Sequence, residues 1–360
     1  MILKRRLQDD EDDLSLFFGT PPTSASEKTE EVDDLGRIIP GQNPIAAHRE
    51  RRTYRTARHS RRQPTKEEEG YSTDSSLALS DETDFQTAMS NLRTKISSIL
   101  QDVKSNEFRD PRHGLAKWFG AWREKYPDSY NNAFGGLGMV SAWEFWVRLE
   151  ILGWNPIEVP RALDSFSWFE SLYDYSHLRA HSSEEDMDKD EDEEPDLGPD
   201  GDLVSAMIST AVVPRLYKVI QGGAFDAYSA KHIRILIDLA EQVEASVTQD
   251  KFELFIKAVI IPFRESVDSS LIALQPYLDY NNAKFDPESV PARRRFLIRR
   301  YKLLNNLLQW RKYIGEKFGI GELISKLIGE CMLPVAENGW DVGGEEIMLK
   351  VLFPNRLLSP

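Results

Sequence analysis

Two histidines four residues apart, His177 and His181, would share one face of a helix, the spacing a zinc pair needs, and Glu184 and Glu185 follow them. The metalloprotease pattern requires a glutamate directly after the first histidine, and Leu178 stands there. The pair reads better as two imidazoles at a helix end beside an acidic stretch. Gly135-Gly136-Leu137-Gly138 is glycine-rich, but no strand pattern precedes it and no Lys-Ser/Thr follows. It is read as a tight helix-to-helix turn using positive φ, not as a phosphate cradle. Cys331, the sole cysteine, lies among Ile328, Met332 and Leu333, the company of a buried apolar side chain. One cysteine excludes a disulfide framework and a cysteine-based zinc site. Acid pairs such as Glu345-Glu346 have no placed nucleophile or base beside them. No catalytic constellation can be assembled, and the sequence predicts a non-enzyme with no cofactor and no metal.

The arginines say more. Arg52, Arg55, Arg58 and Arg61 recur every third residue, with Arg49, Arg51 and Arg62 beside them. On a helix these guanidiniums would form a slowly winding stripe suited to a phosphate backbone. Tyr54 alone offers a stacking ring, which argues against base-specific reading. Three readings stay open: a nuclear import signal, a non-specific RNA- or DNA-binding arm, and plain solvated charge. A second basic group, Arg293, Arg294, Arg295, Arg299, Arg300 and Lys302, falls on a predicted helix. It reads either as a solvated face or as a surface covered in cis by the acidic run Glu184–Asp202, which holds twelve acids and one lysine. Ser72, Thr73, Ser75, Ser76 and Ser80 sit in an acidic context, where phosphate would oppose the arginine arm.

Around these groups the 360-residue chain, of net charge −14, divides by pattern. Residues 1–84 hold most of the Ser, Thr, Pro and charge without a helical or strand period and are read as a disordered tail carrying the basic segment 49–62. One apolar island interrupts it: Leu14, Leu16, Phe17 and Phe18, directly after Asp9–Asp13. It is either stray hydrophobicity or a docking segment that orders on a partner, its acids keeping the exposed cluster soluble. No run approaches 18 uninterrupted apolar residues, so no membrane span is expected.

From Phe85 helical periodicity takes over and lasts to about residue 353, broken by the acidic run 182–202, read as a disordered loop. Phe85, Met89, Leu92, Ile96, Ile99 and Val103 alternate by four and three, a single apolar seam on a leading helix that packs on the body. Ser141 with Glu144 forms a capping box before Phe145, Trp146 and Leu149. Further helices are predicted at about 164–180, 202–221, 229–246, 250–275, 291–318, 321–336 and 343–353. Hairpin-linked alternating strands are missing, and the β-branched runs Val212-Val213 and Val259-Ile260-Ile261 each meet a proline. The fold class is all-α: antiparallel helical hairpins in an irregular bundle or α-solenoid. Trp146, Leu149, Trp154, Trp168 and Phe169 are predicted core residues, the large aromatics burying the most surface.

Trp122-Arg123-x-x-Tyr126-x-x-Ser129-Tyr130-x-x-Ala133-Phe134-x-Gly136-Leu137 resembles the start of the C-terminal domain of the GC-rich sequence DNA-binding factor family, which includes the PAX-binding proteins. Val147-Arg148-Leu149-Glu150-x-Leu152-x-Trp154-x-Pro156-x-Glu158, Trp168-Phe169-Glu170-Ser171-Leu172 and Leu307-Leu308-Gln309-Trp310 are similar to later elements of that family. The Arg49–Arg62 run followed by Glu69-Gly70-Tyr71-Ser72-Thr73-Asp74 also resembles the family's basic segment and Ser/acid segment just upstream. The resemblance implies a nuclear, all-α adaptor of pre-mRNA splicing in intron-lariat spliceosome release, beside a G-patch protein and its DEAH-box helicase. It also implies an alternative, since some members are described as transcription regulators that bind DNA or PAX factors.

Overall fold

The computed structural model describes residues 2–19, 53, 79–177, 200–280, 288–339, 341 and 344–352, and every regular element among them is a helix. In chain order these are α1 Ile2–Phe18, α2 Leu79–Ser98, α3 Lys117–Lys125, α4 Gly135–Glu150, α5 Ser167–Ser176, α6 Leu203–Ala224, α7 Ala230–Ser246, α8 Gln249–Tyr280, α9 Ser289–Ile314, α10 at 320–337 and α11 Gly344–Leu352, with short turns such as Pro127–Asn132 between them. The all-α expectation holds. The arginine run 49–62 and the acidic stretch 178–199 lie outside the described residues.

The β-branched runs before prolines are helical, and the prolines mark how. A proline offers no N–H to the turn before it, and its ring crowds that turn's carbonyl. Ile208–Val212 widens into a π turn just ahead of Pro214, and Leu327–Met332 does the same ahead of Pro334. Helix α6 is long and apolar enough by composition to cross a membrane, although polar residues interrupt its apolar run. Its apolar stripe, including Leu203, Met207, Ile208, Val212, Leu216 and Ile220, is buried within the protein.

The chain forms two compact units. One comprises 82–226 and 231–262, from α2 through the first part of α8. Its core is built on Met139, Trp143, Val147, Phe166, Trp168 and Leu172. The other comprises the N-terminal residues to Asp81, Ala227–Ala230 and everything from Phe263. Its centre is α9, which buries Phe296, Leu297, Leu303, Leu307 and Trp310.

One departure from the sequence reading lies within residues 1–84. The first 18 are not left as tail: Ile2–Phe18 is a helix packed on α9 and closed by Gly19 at φ 87°, whose N–H reaches the Ser15 carbonyl. The other lies at the glycine-rich stretch. Gly135 and Gly136 open helix α4, and the left-handed residue is Phe134, at φ 53°. Ser141 is therefore inside α4, and Glu144 pairs with Arg148 instead of capping. Gly135 is required for a steric reason, because a Cβ there would stand 2.3 Å from the buried Tyr130 ring.

Candidate functional site

Helix α1 and helix α9 meet along an ionic seam. Arg300 donates from Nη1 and Nη2 to the two oxygens of Asp10 at 3.0 and 2.7 Å. Arg299 donates Nε to Asp10 at 2.8 Å and Nη2 to Asp13 at 2.6 Å. Arg295 reaches Asp13 at 2.8 Å. Two aspartates three apart thus sit opposite arginines at 295, 299 and 300, and rising α1 numbers meet falling α9 numbers, so the helices are antiparallel. Burial pushes the Asp10 carboxyl up, but Arg300 and Arg299 outweigh it and hold it below its usual 3.8. The reverse balance raises Arg300: burial disfavours its charge and Asp10 more than restores it. Arg6 stacks over the Tyr228 ring at 4.1 Å, and the Tyr277 hydroxyl points to the Glu11 carbonyl at 3.5 Å.

The apolar island completes this contact. Leu14, Phe17 and Phe18 are fully buried and Leu16 half-buried; Phe17 meets Phe296 edge-on at 6.1 Å and lies under Arg293 at 5.2 Å. Burying three such side chains supplies roughly 1.5–3 kcal/mol each, whereas buried ion pairs come close to breaking even against desolvation. The aromatics therefore drive the packing and the ions fix its register. The basic group on α9 is not a solvated face: Arg293, Arg299 and Arg300 are buried, and Arg294 is paired to Glu346 at 3.1 Å. The acids found opposite Arg295, Arg299 and Arg300 are Asp10 and Asp13. The Glu184–Asp202 run, the alternative cover, lies almost wholly outside the described residues. The missed signal was the complementary spacing of Asp-Asp-Glu-Asp-Asp and Arg-Arg-Arg-x-x-x-Arg-Arg.

In the other unit, the Trp/Tyr-rich block builds a second polar cluster. Trp122 meets Tyr130 edge-on at 5.2 Å, and the Tyr130 and Tyr175 hydroxyls are 3.2 Å apart. Arg123 donates to the Tyr175 carbonyl at 3.2 Å and to Asp200 at 2.7 Å. Burial pushes the Tyr130 phenol far above its usual value, so it stays a neutral hydrogen-bonding group. Around this cluster, large apolar side chains face solvent: Tyr126, Phe134 at 70 % exposure, and Leu137. So do Phe108 and Trp118, edge-on at 6.3 Å, and Phe145 beside Trp146. The α2 seam is also uncovered: Phe85, Leu92 and Ile99 are each more than two-fifths exposed, and Met89 and Ile96 are half-buried.

Of the five predicted core residues, Trp154 and Trp168 are buried, while Trp146, Leu149 and Phe169 are half-buried. Trp143, one turn before Trp146, is buried in their place. Trp143, Trp146 and Trp168 line a cleft of about 430 Å³ with Arg109, Arg112 and Glu150. His177 stacks on Tyr173 at 3.9 Å and its Nδ1 lies 2.9 Å from the Tyr173 carbonyl; His181 lies outside the described residues. Cys331 is fully buried, which pushes its thiol up, away from nucleophile chemistry.

These features define an all-helical protein with a charge-registered N-terminal helix on one unit and exposed aromatic surface on the other. No family model matches it. Its similarities are to the mouse protein named Intron Large complex component GCFC2, at 26 % identity over 72 % of this chain, and to PAX3- and PAX7-binding protein 1 from human and mouse, at 26 % and 27 % over 93 %. These relatives are of the kind its Trp/Tyr motifs resemble. The chain spans about a third of their length, 33 % of the first and 36 % of the others.

Proposed function

We propose that the chain is a non-enzymatic nuclear adaptor of pre-mRNA splicing that acts when the intron-lariat complex is taken apart. The observation that carries this is the similarity along 72 % of the chain to a protein whose name makes it a component of the Intron Large complex. The exposed apolar side chains at Phe108, Trp118, Phe134, Phe145 and along α2 support it, since aromatic patches on a helical surface suit partner helices and loops better than a small substrate. Partners of the expected chemistry are a G-patch protein and a DEAH-box helicase. The arginine arm serves nuclear import, direct RNA contact, or both.

A second reading, a DNA-associated transcription regulator, draws on the relatives named for binding PAX3 and PAX7. A nuclear pull-down with and without ribonuclease separates the two. Ribonuclease-sensitive recovery of U2, U5 and U6 RNA with excised introns supports the adaptor. Recovery of promoter DNA without those RNAs supports the regulator.

A further inference from the structure

Helix α1 is held by two separable devices on a single helix. Phe17, Phe18 and Leu14 fill an apolar depression beside Phe296, and Asp10 and Asp13 each answer two arginines. Its other side, Lys4, Leu7, Gln8 and Glu11, is exposed, so among the described residues α1 is an outer layer with no helix over it there. Residues 19–78 separate it in sequence from α2. With α1 gone, α9 would present three arginines around an apolar depression.

We propose that the α9 face bearing Arg295, Phe296, Arg299 and Arg300 is an exchangeable docking groove for an acidic–aromatic helical segment from a partner protein, and that α1 is a copy of that segment carried in cis to keep the groove closed. The partner chemistry follows from the contacts: Asp-x-x-Asp, an apolar residue directly after it, and two aromatics one turn further on. The aspartates select it through charge-assisted pairing with fixed geometry. A bare phosphate backbone matches the arginines but leaves the depression that takes Leu14, Phe17 and Phe18 empty. Tethered segments compete at effective concentrations on the order of millimolar, so a trans segment gains little on the wild-type chain. It gains most once α1 is weakened. This inference does not depend on whether the chain works on RNA or on DNA.

The test uses the full chain and a fluorescent peptide of its own residues 1–19. Wild-type chain is expected to bind the peptide weakly. A chain carrying Phe17→Ala and Phe18→Ala is expected to bind it at least tenfold more tightly, and adding Arg299→Glu and Arg300→Glu should abolish the gain. A peptide with Asp10→Arg and Asp13→Arg should then recover binding to the reversed chain. Hydrogen exchange reports folding in parallel: in the loosened chain α1 amides exchange fast while α9 stays protected. Three results overturn the proposal. The first is no peptide uptake by a loosened chain whose α9 remains protected. The second is loss of α9 protection together with α1, which makes α1 part of one cooperative core. The third is displacement of the peptide by a single-stranded RNA of equal charge, which makes the face a phosphate reader.

Discussion

Arg300 holds both oxygens of Asp10 across 290 residues of chain, and neither side chain is more than 3 % exposed. So buried a pair persists only when each charge has its partner, and removing one member typically costs about 3–5 kcal/mol. It ties the first helix of the chain to the central helix of its unit. It also gives that contact a sign with respect to pH.

Asp10 is held below 3.8 because Arg300 and Arg299 outweigh the effect of burial. A carboxyl with a depressed folded value contributes stability that is complete above its free value and is lost as pH falls through its folded one. The ionic part of the α1 contact is therefore expected to be complete from neutral pH down to about pH 4 and to weaken progressively below it. Thermal melts of wild type and Asp10→Asn across pH 2–7 check this. The gap in melting temperature should be widest near neutrality and narrow progressively as pH falls below about pH 4; a gap that does not change with pH assigns the effect to packing.

Trp168 tests the core of the other unit. Its ring is 2 % exposed, and its indole N–H has no hydrogen-bond partner among the described residues. Trp168→Ala should lower stability by roughly 3–5 kcal/mol through the cavity it leaves. Trp168→Phe should cost about 1–2 kcal/mol, because no hydrogen bond goes with the nitrogen. Urea denaturation of both variants decides it, and a wild-type-like alanine variant would place the ring at an open surface.

The turn into α4 makes two opposite predictions from neighbouring positions. Gly135→Ala drives a Cβ into the buried Tyr130 ring and should cost about 1–3 kcal/mol or more, while Gly222→Ala, with nothing within 4 Å, should be near neutral. Phe134 is left-handed and 70 % exposed, so Phe134→Gly removes a backbone penalty of about 1–2 kcal/mol and should stabilise the chain. If the ring is a partner contact, the same variant loses partner recovery while melting higher. A variant that melts higher and still recovers partners makes Phe134 a bystander.

Much of the fold was legible because helices announce themselves by period. Ile233, Leu236, Leu239, Ala240 and Val243 line the buried side of α7, and the segments predicted from about 202 onward fall within a few residues of α6 to α11. The errors have physical causes. Asp9–Asp13 looks like solvated charge because nothing local says that arginines nearly 290 residues away will neutralise it. Gly135-Gly136 looks like a turn because glycine serves both positive φ and close approach, and here the second use applies. Phe85, Leu92 and Ile99 have the spacing of a packed seam, but period reports that a face is apolar, not that this chain covers it.

The arginine arm, Arg49 to Arg62, lies outside the described residues and is tested through charge. If it acts as an import signal by charge alone, changing Arg49, Arg51, Arg52, Arg55, Arg58, Arg61 and Arg62 to lysine should preserve nuclear accumulation, and changing them to glutamine should abolish it. Lysine keeps the charge but lacks the planar fork, so any contact that needs bidentate geometry fails in the lysine variant alone. Nucleic-acid binding by the arm should weaken steeply with added salt, because released counterions drive it. A partner could carry the whole chain into the nucleus, so segment 45–66 fused to a reporter of domain size is the decisive assay. Nuclear reporter with wild-type or lysine sequence and cytoplasmic reporter with glutamine establishes the signal. A wild-type reporter left in the cytoplasm removes the import role, and salt-dependent RNA and DNA binding of the same fusion then decides between a nucleic-acid arm and a solvated tail.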